Sequence, residues 1–342
     1  MEILSDVLRS VRLSGALFFD VEAKGTWVAE TPAMPKIASL VMPDAEHVIG
    51  FHAILSGSCW AELRDGSTPA VQLNAGDVII LPGGIQHSLS SAPGMRAEPD
   101  LSLYYRPTDR PLPSILQTGA GEAGGGVRFV CGYLGCDAKP FNPLLDALPN
   151  LIHARGQADG PGWAGQLIRM ALGESQARRD GSEIVLARLS ELLFVEVLRG
   201  YVDTLADDAR GWLSGLRDRH VGAALRLIHG RPTEAWTLEG LARAVGLSRS
   251  VFAERFTHYV QMPPMHYLGR WRLQLAARLL ERPGVNIAEV SEKVGYESEA
   301  AFNRAFKKLM GTPPGVWRKG RALDITEVRS SGAIAGIIAS RG

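Results

Sequence analysis

Two textures divide the chain. As far as about residue 137, short apolar runs are broken by Gly, Pro, Asp and Asn, as in HVIGFHAILSG (47–57), CWAELRDG (59–66), AVQLNAGD (70–77) and VIILPGG (78–84). Turn residues at intervals of roughly eight to twelve positions predict a sandwich or barrel of short strands. The segment GAGEAGGG (119–126) reads as a flexible loop between two strands, the second being VRFVCGYLG. From Phe141 onward the spacing becomes helical. Residues 162–179 and 182–205 each read as a long helix, the second capped by Ser182. In it Ile184, Val185, Leu189, Leu192, Leu193, Glu196, Val197 and Tyr201 form a band too wide for one neighbour. One side of that band is expected on its own domain, and the other either inside the core or on a partner subunit. The polar stretch ADDARGWLSGLRD (206–218) reads as a linker.

Beyond the linker the pattern repeats. LARAVG (241–246) is answered by VSEKVG (290–295), Thr237-Leu238 by Asn286-Ile287, and Pro263-Pro264 by Pro313-Pro314. The offset is 49 residues before each turn and 50 after it, because Tyr296-Glu297-Ser298 stands against Leu247-Ser248. Each copy predicts a short helix, a stop at Gly246 or Gly295, and a second helix. Thr237 and Ser248 are expected caps, and Asn286 with Glu289 has the form of a capping box. Leu238, Leu241, Ala242 and Val245 form the first buried stripe, continued by Phe252, Phe256 and Tyr259. Val290, Val294, Phe302 and Phe306 repeat it. Two helices joined by a Gly-containing turn are a helix-turn-helix, whose second helix enters the DNA major groove. Between the copies, Met265, Leu268, Trp271, Leu275 and Leu279 predict one helix of roughly 18 residues, about 27 Å long. That is close to the ~34 Å between successive major grooves on one side of a duplex.

Charge changes the picture once it is divided. The net charge is +1, yet residues 217–320 hold 17 Lys/Arg against 9 Asp/Glu, an excess of +8, which leaves −7 elsewhere. A cationic module joined to an acidic one favours nucleic acid as partner of the former. Three cysteines exclude a disulfide framework and point to a reducing cytoplasm. The start MEILSDVLRSVRLSG does not read as a signal peptide, and no apolar run approaches a membrane span.

The segments LSRSVFAERF (247–256), PPMHYLGRWRLQLAARLL (263–280) and VGYESEAAFNRAFKKLMGTPP (294–314) resemble the AraC/XylS family of bacterial transcription regulators, and the resemblance covers residues 220–320. The first two hundred residues resemble the cupin-type sensor of one branch of that family. The expected architecture is α+β: a cupin-like β-barrel with helical extension over 1–205, expected to carry dimerisation, and a linker over 206–218. An all-α double helix-turn-helix follows over 219–320, then a flexible tail over 321–342.

On the first recognition helix the outward positions are Arg249, Ser250, Ala253, Glu254 and Thr257, and the resemblance implies base readers at Ser250, Ala253 and Glu254. Glu254 either accepts from cytosine N4 or pairs with a neighbouring Arg. The second helix presents Glu299, Ala300, Asn303, Arg304, Lys307 and Lys308. Arg304 suits a bidentate contact to guanine, whereas Lys307, Lys308, Arg318 and Lys319 suit phosphates.

In the sensor half, Gly76 to His87 follows the second cupin signature: Gly, five residues, Pro-x-Gly, two residues, His. The first signature is degraded. His47 and His52 are five apart, which sends them to opposite faces of a strand, and no Glu follows where expected. An ion such as zinc would have His52, His87 and Cys59 as ligands. Cys131 and Cys136 are read as buried structural thiols, thiols that sense oxidants or electrophiles, or metal ligands shared with a histidine. The functional expectation is a homodimeric, sequence-specific regulator of promoter DNA. It responds to a small effector or to redox state, and the resemblance implies activation and contact with RNA polymerase. The alternatives are a metal-dependent cupin enzyme fused to a DNA-binding module, and an architectural DNA-binding protein.

Overall fold

A computed structural model of the chain describes residues 3–105, 112–119, 126–156, 163–177, 179–206, 209–282 and 284–320. In chain order the elements of the first half are α1 (Ile3–Ser10), β1 (Ser14–Ala23), β2 (Val28–Thr31), α2 (Met34–Val41), β3 (His47–Ser56), β4 (Ser58–Leu63), β5 (Val71–Asn74), β6 (Val78–Leu81), β7 (His87–Ser90), β8 (Ser114–Thr118) and β9 (Val127–Cys136). Then come β10 (Ile152–Ala154), α3 (Trp163–Ala177), α4 (Ser182–Thr204), α5 (Trp212–Arg217), α6 (Arg219–Gly230), α7 (Leu238–Ala244), α8 (Arg249–Val260), α9 (Pro264–Leu280), α10 (Ile287–Lys293) and α11 (Glu299–Met310). The chain divides into two compact units. One is Leu13–Cys136 with Leu148–Thr204; the other is Met1–Arg12, Asp137–Ala147 and Leu205–Gly342. The second unit therefore reaches beyond residues 219–320, taking in the start of the chain and a segment between the strands and α3. The tail 321–342 and most of the Gly-rich stretch 119–126 lie outside the described residues.

In the sheet unit, β10-β6-β3-β9-β1-β8 form one sheet and β2-β7-β4-β5 the other. Alternation explains the strands. Cys59, Ala61 and Leu63 point inward from β4, and Val127, Phe129, Cys131 and Tyr133 point inward from β9, all into one core cluster. Helices α3 and α4 pack together, and α4 lies against β1 and β9. Leu186, Leu189, Leu193, Phe194, Val197 and Leu198 of α4 are buried, while Ile184, Val185 and Leu192 are exposed. Ser182 does not cap this helix as expected. It is the first residue of α4, and its hydroxyl donates to Glu174 and accepts from the Arg179 N–H. Helix α2 interrupts the strands, and β10 appears after the point where helical spacing was expected to take over.

In the helical unit the caps are largely as expected. Thr237 accepts from the Gly240 N–H at 2.9 Å, Ser248 from Val251 at 3.4 Å and Asn286 from Ala288 at 3.0 Å. Ser298 adds a fourth cap, on α11. The capping box does not form, because Glu289 pairs with Lys293 instead. Helix α9 is gripped almost all round. Pro264, Tyr267, Leu268, Trp271 and Gln274 are buried along one stripe, and Leu273, Ala276, Ala277 and Leu280 along another. The second stripe joins Val290, Val294, Phe302 and Phe306 in a core of its own. Met265, expected in the stripe, is exposed, and Tyr259 is half-buried.

The expected linker is not a solvated strap. Its second half is α5, whose Trp212 and Leu213 are buried, and Trp212 Nε1–H donates to the Tyr267 hydroxyl at 2.8 Å. That hydroxyl in turn donates to His229 Nε2 at 2.8 Å. Burial pushes the His229 imidazole down to about 3, so it is neutral. Helix α1 and residues 137–147 also hold α9. Gln274 accepts from the Phe141 N–H at 3.0 Å and donates to the Ser10 carbonyl at 3.2 Å. Arg12 meets both carboxylate oxygens of Asp137 and reaches Glu281 at 3.3 Å, and the Arg270 guanidinium lies 4.7 Å from the Phe141 ring centre.

The two turn glycines separate conformation from space. Gly246 has φ +72° with nothing near where a Cβ would stand, whereas at Gly295, φ +82°, a Cβ would lie 2.8 Å from Thr233 Cα. Gly246→Ala should therefore lower stability by about 1 kcal/mol, from backbone strain alone. Gly295→Ala should cost at least about 2 kcal/mol, since overpacking adds to that strain. Urea denaturation of the full chain checks the order, and equal losses would show that the contact at Thr233 relaxes freely.

Candidate nucleic-acid interface and barrel cavity

Each repeat sets its second helix by the same means. A left-handed Gly ends the first helix, a Ser caps the second, and two Phe side chains four residues apart anchor its inner face. Phe252 and Phe256 are fully buried in α8, as are Phe302 and Phe306 in α11. That anchoring leaves the opposite faces outward. In α8, Arg249, Ser250, Glu254 and Thr257 are exposed and Ala253 is half-buried. In α11, Glu299, Ala300, Arg304, Lys307 and Lys308 are exposed and Asn303 is half-buried.

Their partners differ in ways that bear on recognition. Arg255, not Glu254, takes up the neighbouring ion pair, donating from Nε to Asp218 at 3.0 Å. Among the described residues Glu254 has no ion-pair partner, nor do Arg249, Arg304, Lys307 and Lys308. Asn303 donates to Glu299 at 3.4 Å along the helix. Arg318 is half-buried and donates to the Val285 carbonyl at 2.6 Å, so part of its guanidinium serves the fold. Lys319 is exposed.

In the sheet unit, β6 runs out to the Pro82-Gly83-Gly84 turn, and β7 begins at His87, which is buried. His52 comes to meet it. Strand β3 pairs with β9 so that His52 stands opposite Cys131, and its other ring nitrogen reaches His87. His52 Nδ1 is 2.8 Å from Cys131 Sγ, and His52 Nε2 is 2.7 Å from His87 Nε2. His87 Nδ1 lies 2.9 Å from the Ile85 carbonyl, which can only accept. The proton positions follow. His87 Nδ1–H donates to Ile85, His87 Nε2 accepts from His52 Nε2–H, and His52 Nδ1 accepts from the Cys131 thiol. Burial pushes both imidazoles down, His87 to about 4 and His52 well below its ordinary value, the second cause on His52 being the His87 charge. Burial likewise pushes the Cys131 thiol well up. Every member of the chain is thus neutral and hydrogen-bonded.

That arrangement does not fit a zinc ion. Every ring nitrogen is engaged, and two imidazoles on one zinc would hold their nitrogens about 3.3 Å apart at Zn–N distances of 2.0–2.1 Å. Among the described residues no three His, Cys, Asp or Glu side chains are placed to hold a metal. Cys59, the expected third ligand, lies in the core, its thiol pushed up to about 12 by burial and then by Asp77. His47 is on the opposite face of β3, its Nε2–H donating to the Pro82 carbonyl at 2.7 Å. Cys131 and Cys136, five apart on β9, face opposite ways, and all three thiols are buried. A protonated, enclosed thiol is the reverse of the exposed thiolate that reactive cysteines need.

Beside this chain lies a cavity of about 260 Å³. Phe19, Phe129, Tyr104 and Tyr133 supply its aromatic wall, His52 and Cys131 reach it, and Glu30, Thr31, Glu98 and Asp100 also line it. Sequence reasoning missed these residues apart from His52 and Cys131. The signal available was β9 itself, whose inward alternation puts Phe129 and Tyr133 on the Cys131 face.

Comparison with known proteins follows the same division. A cupin family model matches residues 2–203, and a helix-turn-helix domain model matches residues 241–320. An AraC-like transcription regulator of Streptomyces lividans is 32% identical over 326 residues, covering 93% of this chain and 98% of that protein. The transcriptional regulator AlkR of Acinetobacter baylyi is 30% identical over 322 residues, covering 93% and 99%. The crystal structure of the AdpA DNA-binding domain with target DNA is 25% identical, covering 30% of this chain and 92% of that one, with a TM-score of 0.29. Among the described residues no helix is long and apolar enough to cross a membrane. The chain belongs to the AraC-type family of DNA-binding transcription regulators and carries a cupin-type N-terminal region ahead of its helix-turn-helix domain.

Proposed function

We propose that the protein is an effector-responsive regulator that reads a promoter site with α8 and α11, each lying in a major groove. The observation that carries this reading is the repeated construction of the two helices: buried Phe pairs, capped starts and polar outer faces. Arg304 reads guanine, Ser250, Ala253 and Glu254 read bases from α8, and Glu254 is available because Arg255 has taken Asp218. Arg249, Thr257, Glu299, Ala300 and Asn303 border these readers. Lys307, Lys308 and Lys319 meet phosphates, and Arg318 does so with whatever donors Val285 leaves. The excess of +8 over residues 217–320 supports the electrostatic share of binding.

The cavity in the sheet unit is the effector site, and an effector acts through unequal affinity for two states of the protein. The neutral His–Cys chain supports a regulator rather than a metal-dependent enzyme, since no ring nitrogen is offered to an ion. A second copy covers the outer face of α3 and α4. Trp163, Met170, Ile184 and Leu192 are 67%, 59%, 68% and 55% exposed, and Val185 lies one heptad from Leu192 on the same face. Cytoplasmic location, activation and contact with RNA polymerase belong to the same reading.

Arg304→Ala should weaken binding to the cognate site by about 1–3 kcal/mol and leave non-specific DNA nearly unaffected. Lys307→Ala should weaken both equally and reduce the salt slope by about 1. Titration of both DNAs at several salt concentrations checks this, and equal losses for Arg304→Ala would reject base reading. Leu192→Glu should convert the dimer to a folded monomer in sedimentation at micromolar concentration. A wild-type monomer would contradict the assignment of that face.

A further inference from the structure

The inner wall of the barrel cavity offers no charge, and that says what kind of molecule it takes, given the reading of this cavity as the effector site. Register decides which side chains face it. Pairing of β2 with β7 sets Ala29 opposite Leu89 and Glu30 opposite Ser88. Ala29 and Leu89 pack into the core, so alternation turns Glu30 to the other face of the sheet, where Gln86 donates to it. Strand β9 sends Phe129, Cys131 and Tyr133 inward, and β1 sends Phe19 and Val21. No Lys or Arg stands among the described lining residues, and Glu98 and Asp100 are exposed at the mouth.

The polar groups that do face inward are spent on one another. The Tyr104 hydroxyl is hydrogen-bonded to Thr31 and Tyr133, and the Cys131–His52–His87 chain ends on the Ile85 carbonyl. Burial keeps the imidazoles neutral by pushing them down, and keeps the Cys131 thiol and both phenols protonated by pushing them up. Among the described residues no buried side-chain nitrogen or oxygen on the cavity face lacks a hydrogen-bond partner. An ion entering would lose its water and find neither a counter-charge nor a free donor or acceptor. An apolar surface meets Phe19, Leu89, Leu116 and Phe129 without that cost. In size, 260 Å³ exceeds the roughly 150 Å³ cavity that holds one benzene by enough to admit a second fused ring.

We propose that the cavity takes an uncharged, apolar molecule about the size of two fused rings and rejects ions of the same shape. Glu98 and Asp100 repel an anion at the mouth. A cation drawn to them stops there, because nothing deeper in replaces its water.

The test is equilibrium dialysis of the full chain against methylnaphthalene, naphthoate and naphthylmethylammonium, all substituted at the same ring carbon. The hydrocarbon should bind about tenfold or more tighter than either ion. Ala97→Trp, at the half-buried lip, should lower hydrocarbon affinity about fivefold or more by filling the mouth. Should that variant fail to fold, Leu103→Arg on the exposed rim supplies the missing counter-charge. It should narrow the hydrocarbon's lead over naphthoate to about threefold or less. Equal affinities, a preference for either ion, no retention of the hydrocarbon at about 0.1 mM, or a folded variant that behaves as wild type would overturn the proposal. Promoter titration in the same samples separates the two readings. A bound hydrocarbon that leaves DNA affinity unchanged keeps the ligand class and removes the cavity's role as effector site. DNA affinity that responds to one of the ions and not to the hydrocarbon keeps the effector site and overturns the ligand class.

Discussion

The burial of α9 on nearly every side is what the helical unit rests on. An ordinary surface helix shows one apolar stripe and one wet face. Helix α9 instead gives Tyr267, Leu268 and Trp271 to one set of neighbours and Leu273, Ala276 and Leu280 to the core beneath α10 and α11. The first set includes Phe256, whose ring centre lies 5.8 Å from that of Tyr267, and His229, 4.0 Å from Trp271. Because each repeat packs its Phe pair toward this helix, rotating either recognition helix would open a core. Two short helix-turn-helix units, each too small to bury a core of its own, become one object by sharing a rod. Buried Gln274 then ties α1 and residues 137–147 to the same rod, with donor and acceptor both used.

The sheet unit solves a different problem. Its core contains two imidazoles and a thiol, which burial would punish severely if charged. The register that sets His52 opposite Cys131 lets the three groups neutralise one another's needs through a directed run of hydrogen bonds ending on a backbone carbonyl. A fold whose relatives are described as cupins thus holds histidines as structural members. The buried carboxylates elsewhere in the unit are partnered, Asp20 with Arg128 at 2.7 Å and Asp77 with His153 at 3.0 Å.

Much of this was legible in the residues. The repeat, both left-handed glycines and three of the caps could be read because each rests on a local rule that neighbours in sequence suffice to state. The α+β division was legible for the same reason, since a period of two and a period near 3.6 leave different marks. Long-range facts were not. Nothing local says that Cys131 rather than Cys59 faces His52, because register between β3 and β9 decides it. The polar look of 206–218 concealed α5, although Trp212 was a sign that the segment must bury something. Ser182 and Glu289 satisfied a capping rule in sequence, yet each found a stronger partner, Glu174 and Lys293 respectively. Met265 fell out of the α9 stripe because that helix has two buried faces, and a single-stripe template cannot represent both.

The central claim is that α8 and α11, joined through a helix of 17 residues, about 25 Å long, read two half-sites at one fixed separation. The most direct measurement is the affinity for a mapped site into which about five base pairs are inserted between the half-sites, half a helical turn. A shared rigid core predicts a fall toward non-specific affinity, on the order of a hundredfold or more, since only one helix can then face its groove. Affinity unchanged by the insertion would mean that the two helices move independently and that α9 does not hold them.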